Sequence, residues 1–537
     1  MSKLPTSSRP FRRVTVLGIL LLMFLTIPGQ ISAPAAASSG TLRLAGPVIV
    51  PETLDPAQMR DLSSVVMFRQ IYRGLMFYDE NLTPVPEIAA SYTISDDGLT
   101  YDFVLRDNAV FQDGTPITAD DVAFSLTRAV DPDTTEGDVS LLSGPAFLSD
   151  IAGFNDVYQN TADSFTGIIV KSATELTITL VRPQATFLMK LAAVPASIVS
   201  KAQVTSDSTW WAKPIGSGPF AVNKWEPDRS LSLDAFDDFY LGEPSLAHIS
   251  FRLGASALQS FNLYQQGEID LDSISLNDID RVADPEGPYA DQLVVTPLFA
   301  LSYLALNPNL APLDDPWVRA ALQLIFPREE FAEVAFDGWV NAATSLIPTQ
   351  MLAREWATSV PGTSIAAAKA ALSKSRYGSG ENVPTIRIYG SGVFASVVLK
   401  DVAESELGLK IEVLDLQWED MVTRLSDGNL PAYELYWASD YPDPSGILGA
   451  LFGTGRPDNY LGYSNPRVDD LLVQAAAEND VDARAELYEK IDQLIMADNV
   501  VIPIYTDVDY TVVSPDVHNL LITPMGIIRL ETVQIDS

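Results

Sequence analysis

Cysteine is absent from all 537 residues. That excludes disulfides, thiol catalysis and thiolate-bound metals, so the fold must be held by packed cores. It also removes the residue that carries a bacterial lipid anchor, and the expected product is not lipid-anchored. Histidine is almost absent. His248 lies in a strand-like run (LAHISFRL) and His518 in an expected loop (PDVHNLL), and both read as structural. Two histidines so far apart make a poor zinc or nickel site, and a Ser-His-Asp triad would have to recruit one of them. No G-x-S-x-G elbow and no D-x-D-x-D-G calcium loop is present. Gly216-Ser217-Gly218-Pro219-Phe220-Ala221 formally matches a dinucleotide fingerprint, but Pro219 and its successors point to a strand.

Positive charge is scarce as well. Lys and Arg total 34 against 70 Asp and Glu, for a formal charge of −36. Such a surface repels nucleic acid and anionic lipid and favours solubility, with attraction of cationic ligands as a secondary consequence. Four of the basic residues, Lys3, Arg9, Arg12 and Arg13, precede the apolar run Val14–Ile27, and small residues follow it. This is the three-part pattern of a secretory signal over residues 1–37, with Ala33-Pro34-Ala35 and Ala35-Ala36-Ala37 as cleavage motifs. Arg12-Arg13 leaves a twin-arginine route open. No later run is apolar enough to span a membrane.

The remaining chain is too long for one core. Leu99–Leu105 places Leu99, Tyr101, Phe103 and Leu105 on one face of a strand, after an Asp96-Asp97-Gly98 turn. Glu175–Val181 and Arg229–Asp234 alternate in the same way. Thr118 followed by Asp121 resembles a capping box, while Asp315-Pro316 and Asn465-Pro466 each supply an N-cap and a first-turn proline. Leu487, Ile491, Leu494 and Ile495 mark an amphipathic helix. Strands and helices do not alternate regularly, which argues against a single doubly wound sheet or a TIM barrel. No fixed repeat and no long linker appears, so lobes joined by short crossing segments are expected.

Ten strings then occur in order: TLDPA (Thr53–Ala57), IYRGLMFYD (Ile71–Asp79), PEIAASY (Pro86–Tyr92), SDDGLTYDFVLR (Ser95–Arg106), FQDGTPITADDVAFSLTR (Phe111–Arg128), IGSGPF (Ile215–Phe220), QGEID (Gln266–Asp270), WASDYPDP (Trp437–Pro444), GYSNPRVDDLL (Gly462–Leu472) and IPIY (Ile502–Tyr505). Together they resemble the dipeptide and oligopeptide receptors of ABC transporters, the family 5 extracellular solute-binding proteins. Most of these residues suit a scaffold role, since DGLTY and QDGTP are turns.

The resemblance implies an α/β, two-lobed periplasmic-binding-protein fold (class II, Venus-flytrap) with an extra inserted domain. The expected boundaries are 38–75, 182–298 and 508–537 for lobe I, 76–181 for the insert and 299–507 for lobe II. It further implies a monomeric receptor that captures a peptide in the cleft and passes it to an ABC permease, with no cofactor, metal or catalytic residue and no nucleic acid partner. Family members also bind other solutes, so an oligosaccharide, an opine-like compound or a metal chelate stays open, as does, more remotely, a secreted hydrolase. Peptide-binding members hold an extended ligand by its backbone, a form of strand addition. By the same resemblance, Asp440 in the W-x-x-D string would anchor a ligand ammonium, with Trp437, Trp418 and Tyr505 as aromatic walls. Ala438 and Ser439 would lie beside the ligand backbone. Some members carry an arginine three residues before this tryptophan for the ligand carboxylate. This chain has Glu434 there, which shifts that role to Arg424 or implies no carboxylate at that point.

Overall fold

The structure, a computed structural model, describes residues 40–536 apart from 48–49, 60, 255–258 and 528. The expected export signal over 1–37 lies outside the described residues. One large mixed sheet organises the rest. Its strands run in the order Ile411–Asp415, Ile386–Gly390, Ala432–Ala438, Leu293–Leu306, Val501–Val513, Leu271–Ser273, Thr41–Ala45, His248–Arg252, Ser230–Ala235 and Phe220–Glu226.

Two long antiparallel strands, Leu293–Leu306 and Val501–Val513, cross the middle of the sheet. Residues Leu293–Pro297 pair with Val512–Val508, and Leu301–Ala305 pair with Thr506–Val501. Between these stretches the register shifts, at Pro297 to Leu301. The sheet is thereby divided into two halves joined by two strands. Beyond the shift both faces are buried. Leu304, Leu306, Ile386, Ile388, Ile502 and Ile504 pack under the helices Pro316–Ile325, Ile365–Lys374 and Phe394–Leu407. Leu301, Tyr303, Ala305 and Val501 join a core on the opposite face. Period-2 alternation with both faces apolar is what helices on each side require. The other half has its own core, with Leu42, Leu44, Phe220, Leu231, Leu233, Ile249 and Phe251.

A separate four-stranded antiparallel sheet, Ala89–Ile94, Thr100–Leu105, Glu175–Thr179 and Ile168–Val170, lies in sequence between strands of the large sheet. Tyr101, Phe103 and Leu105 are buried on one face, as their alternation predicts. The capping signals are realised too. Thr118 Oγ1 accepts from Asp121 N at 3.3 Å, and Asp121 Oδ2 accepts from Thr118 N at 3.0 Å. Asp315 accepts from Trp317 N at 2.9 Å, and Asn465 from Arg467 N at 3.0 Å.

Several motifs resolve as scaffold. A Cβ on Gly216 would stand 2.0 Å from the Ile71 carbonyl oxygen, and one on Gly218 would stand 2.5 Å from that of Gln70. These glycines permit close backbone packing and do not cradle phosphate. His248 meets Asp234 at 2.8 Å on the surface. His518, expected in a loop, is in the two-residue strand Val517–His518, paired with Gln534–Ile535, because its neighbours bond to the returning C-terminal segment. Arg73, Glu87, Arg529 and Glu531 form a buried ring of ion pairs at 2.8–3.2 Å that ties the C-terminal segment to the body.

Candidate functional site

Where the two halves of the sheet meet, a cavity of about 650 Å³ opens. Its wall includes the carboxyl ends of the strands Thr41–Ala45 and Leu271–Ser273, the crossing residues Leu298–Ala300, and Tyr436 with Ala438–Asp440. A crevice beyond the carboxyl ends of parallel strands is where ligands settle in open α/β sheets. Among the described residues, four charged ones line it: Arg69, Asp272, Asp440 and Asp509.

The WASDYPDP string supplies two carboxylates with opposite fates. Asp443 is fully buried and fully engaged. It receives Tyr488 Oη at 2.7 Å, Arg484 Nε at 3.1 Å and Ser445 N at 3.0 Å, and so braces the turn Pro444–Gly446. Asp440 lines the cavity, and among the described residues no donor reaches its carboxylate. Burial, with a smaller push from Asp458, raises its pKa to about 6.

The strand Ala432–Ala438 explains which neighbours face the cavity. Trp437 and Ala438 are consecutive, so their side chains take opposite faces. Tyr436 and Ala438 line the cavity. Trp437 turns into the core, where its Nε1 donates to Gly446 O at 2.8 Å. The expected wall is therefore Tyr436 rather than Trp437. Along the same face, Glu434 is committed elsewhere. It accepts from Ala395 N at 3.1 Å, Ser396 N at 2.8 Å and Ser396 Oγ at 2.6 Å at the start of the helix Phe394–Leu407.

This strand also has an open edge. On one side it pairs along its length with Leu306–Ala300. On the other, the strand Ile386–Gly390 covers only Ala432 and Tyr433. Ser439 N donates to Phe299 O at 2.9 Å. Alternation then turns the N–H and C=O groups of Ala438 and Tyr436 toward the unpaired edge.

The other expected site residues stand apart from the cavity. Trp418 opens the helix Trp418–Ser426 and is 54% exposed. Arg424 lies over the Tyr389 ring at 5.6 Å. Tyr505 packs on Phe336 with ring centroids 4.9 Å apart. Among the described residues, the cation lining the cavity is instead Arg69, on the helix Val65–Ile71. Arg69 is 4% exposed, lies about equally near the Phe77 and Tyr78 rings (6.0 and 5.9 Å), and finds no acceptor for Nε or Nη1. Burial lowers its pKa to about 10, so it stays charged at neutral pH.

A two-lobed sheet with charged, unsatisfied groups facing an interlobe cavity defines a binding protein of the periplasmic type. The family model for bacterial extracellular solute-binding proteins, family 5, matches residues 83–459, and the chain belongs to that family. It is 26% identical over 504 residues to a probable di/tripeptide-binding protein of Pseudomonas aeruginosa (strain UCBPP-PA14), covering 89% of this chain and 92% of the relative. It is 25% identical to heme-binding protein A of Haemophilus influenzae, with 87% of each chain covered. The structure of the Escherichia coli murein tripeptide-binding protein MppA superposes with a TM-score of 0.75 at 24% identity, over 92% of this chain and 98% of that one. Among the described residues no helix is long and apolar enough to cross a membrane.

Proposed function

We propose that the protein is an exported, monomeric receptor that binds a short peptide in this cavity, delivers it to an ABC importer, and catalyses nothing. The observation that carries the reading is the open edge at Tyr436 and Ala438, which ends at the unpartnered Asp440. A peptide laid along this edge extends the sheet by one strand, so its main chain supplies affinity whatever its sequence. Its α-ammonium meets Asp440 in a charge-assisted bond. Its carboxylate has a partner in Arg69, whose buried N–H groups lack an acceptor. The names of the di/tripeptide- and murein-tripeptide-binding relatives agree with this reading.

Closure follows from the same geometry. Lobe I comprises 38–75, 182–298 and 508–537, lobe II comprises 299–507, and 76–181 is inserted. The register shift at Pro297–Leu301 is the point where two strands can bend together. Export by a cleaved signal over 1–37, without a lipid anchor, completes the assignment. A metal chelate held by imidazole is disfavoured, because no histidine lines the cavity.

The test is native mass spectrometry after incubation with a mixed peptide library. Intact di- to tetrapeptides should be retained in a one-to-one complex. Shortened peptides would mean a hydrolase. A library that passes unbound would mean a non-peptide solute.

A further inference from the structure

On the other half of the sheet from Asp440, Asp272 is the middle residue of the strand Leu271–Ser273 and lines the same cavity. Asp272 is 6% exposed, and its Oδ2 has no hydrogen-bond partner. The Ser260 hydroxyl serves the carboxylate on the other side. Burial raises its pKa to about 6, with smaller pushes from Asp278 and Asp509, and the charges that act on it are thus both negative. Asp509 projects from the neighbouring long strand, also lines the cavity, and accepts from the hydroxyls of Ser273 and Thr511. Hydroxyl donors keep a carboxylate in place without neutralising it, so both charges remain unmet.

Buried carboxylates elsewhere in this chain are either paired with a cation or, like Glu434 and Asp492, held through both oxygens by N–H and hydroxyl donors. Asp55 takes Arg128 through two bonds at 2.8 and 2.6 Å, and Asp150 takes Lys190 at 2.6 Å. An unpaired one facing a ligand cavity needs a cation from outside the chain. Among the described residues no group of three or more His, Asp or Glu is placed to hold a metal ion, so the cation fitted here is an organic ammonium or guanidinium. We propose that Asp272, seconded by Asp509, forms a second cation subsite that reads a basic side chain of the ligand, so that the receptor prefers peptides carrying lysine or arginine. This rests on the peptide reading above. It assigns specificity to the half of the cavity opposite Asp440, and a ligand that fills both ends touches both lobes.

The test compares tripeptides in which lysine, at each position in turn, is set against norleucine, which keeps the chain and removes the charge. Calorimetry on wild-type protein should give at least tenfold tighter binding for lysine at one position, the yield of roughly one charge-assisted bond. Asp272→Asn should bring that ratio close to one. Equal binding of lysyl and norleucyl peptides by wild-type protein at all three positions would overturn the subsite while leaving the peptide reading intact. The wild-type ratio decides alone should the variant fail to fold. If no peptide binds, the peptide reading falls, and the subsite is judged by pentylamine against pentan-1-ol, which keeps the chain and removes the charge. Thermal stabilisation by pentylamine that Asp272→Asn abolishes would uphold it, and equal responses to the amine and the alcohol would overturn it.

Discussion

Replacing Asp440 by asparagine should make the empty protein more stable and the receptor nearly useless. The carboxyl titrates near 6 in the folded chain, against about 3.9 in an unfolded one, because burial and Asp458 disfavour its charge. A folded-state pKa raised in this way contributes stability that is fully present below pH ~4 and is lost as pH rises through 6. Two pKa units correspond to about 2–3 kcal/mol of penalty at pH 7, which asparagine removes. Denaturant unfolding of ligand-free protein should therefore favour Asp440→Asn by about 2 kcal/mol at pH 7. The advantage should close below pH ~4, where the wild-type carboxyl is protonated in both states.

Binding should move the opposite way. A peptide ammonium in the closed cleft would face asparagine with its charge unmatched, at a cost of roughly 3–5 kcal/mol. That is a loss of at least about a hundredfold in affinity by calorimetry. N-acetylation of the peptide should cost wild-type protein a similar factor. Equal binding of free and acetylated peptides by wild-type protein would refute the ammonium assignment. A lower apo stability for the variant would refute the claim that Asp440 is held uncompensated.

Arg69→Met should bind free-acid peptides at least about tenfold more weakly while treating their C-terminal amides nearly as wild type does, as paired calorimetry would show. Affinity should hold above pH 6 and fall below it, approaching about tenfold per pH unit for each carboxyl that must ionise. The groups facing Asp440 in that titration are Asp458, Tyr78 and Tyr441, none of them cationic, and isothermal titrations from pH 5 to 8 would measure it. Glu87→Gln, which leaves Arg73 and Arg529 to share Glu531 as their remaining carboxylate, should destabilise the protein by roughly 1–3 kcal/mol in denaturant unfolding. Ligand affinity should be unaffected, since the ring lies outside the cavity. Small-angle scattering should show a smaller radius of gyration at saturating peptide, and an unchanged profile would count against closure at the Pro297–Leu301 shift.

What could be read from the sequence was mostly local. Thr118, Asp315 and Asn465 cap their helices because an N-cap needs only the next two or three residues. Tyr101, Phe103 and Leu105 face inward because alternation is a property of the strand itself. The WASDYPDP string led to the cavity, but assigning Trp437 to its wall ignored parity. Once Ala438 faces the ligand, Tyr436 must too and Trp437 cannot, and that signal was present in AYELYWA. Arg69, Asp272 and Asp509 were missed for a different reason. They lie in three distant stretches of chain and meet only when the long strands bring the halves of the sheet together. Among 70 acidic residues, nothing local distinguishes Asp272 from its neighbours.

The distinction between Asp443 and Asp440 bears on how such a site is recognised. Both are acidic, both are sheltered, and they are three residues apart. Asp443 is surrounded by donors and costs the fold little, as do Asp55, Asp150 and the ring around Glu87. Asp440, Asp272 and Arg69 are sheltered without a partner of opposite charge, and all three line one cavity. Buried charges without a charged partner also occur away from the cavity, at Arg328, Glu434 and Asp492, but backbone groups and hydroxyls hold those, whereas the cavity gathers both signs around one space. Their grouping argues that the missing partners arrive together, on one molecule bearing positive and negative groups. Because Arg69 and Asp272 lie on one side of the hinge strands and Asp440 on the other, no single half of the cleft can satisfy such a molecule. In the proposed closed state all of the charges would be met, and differential affinity for that state is what would allow a ligand to drive the change.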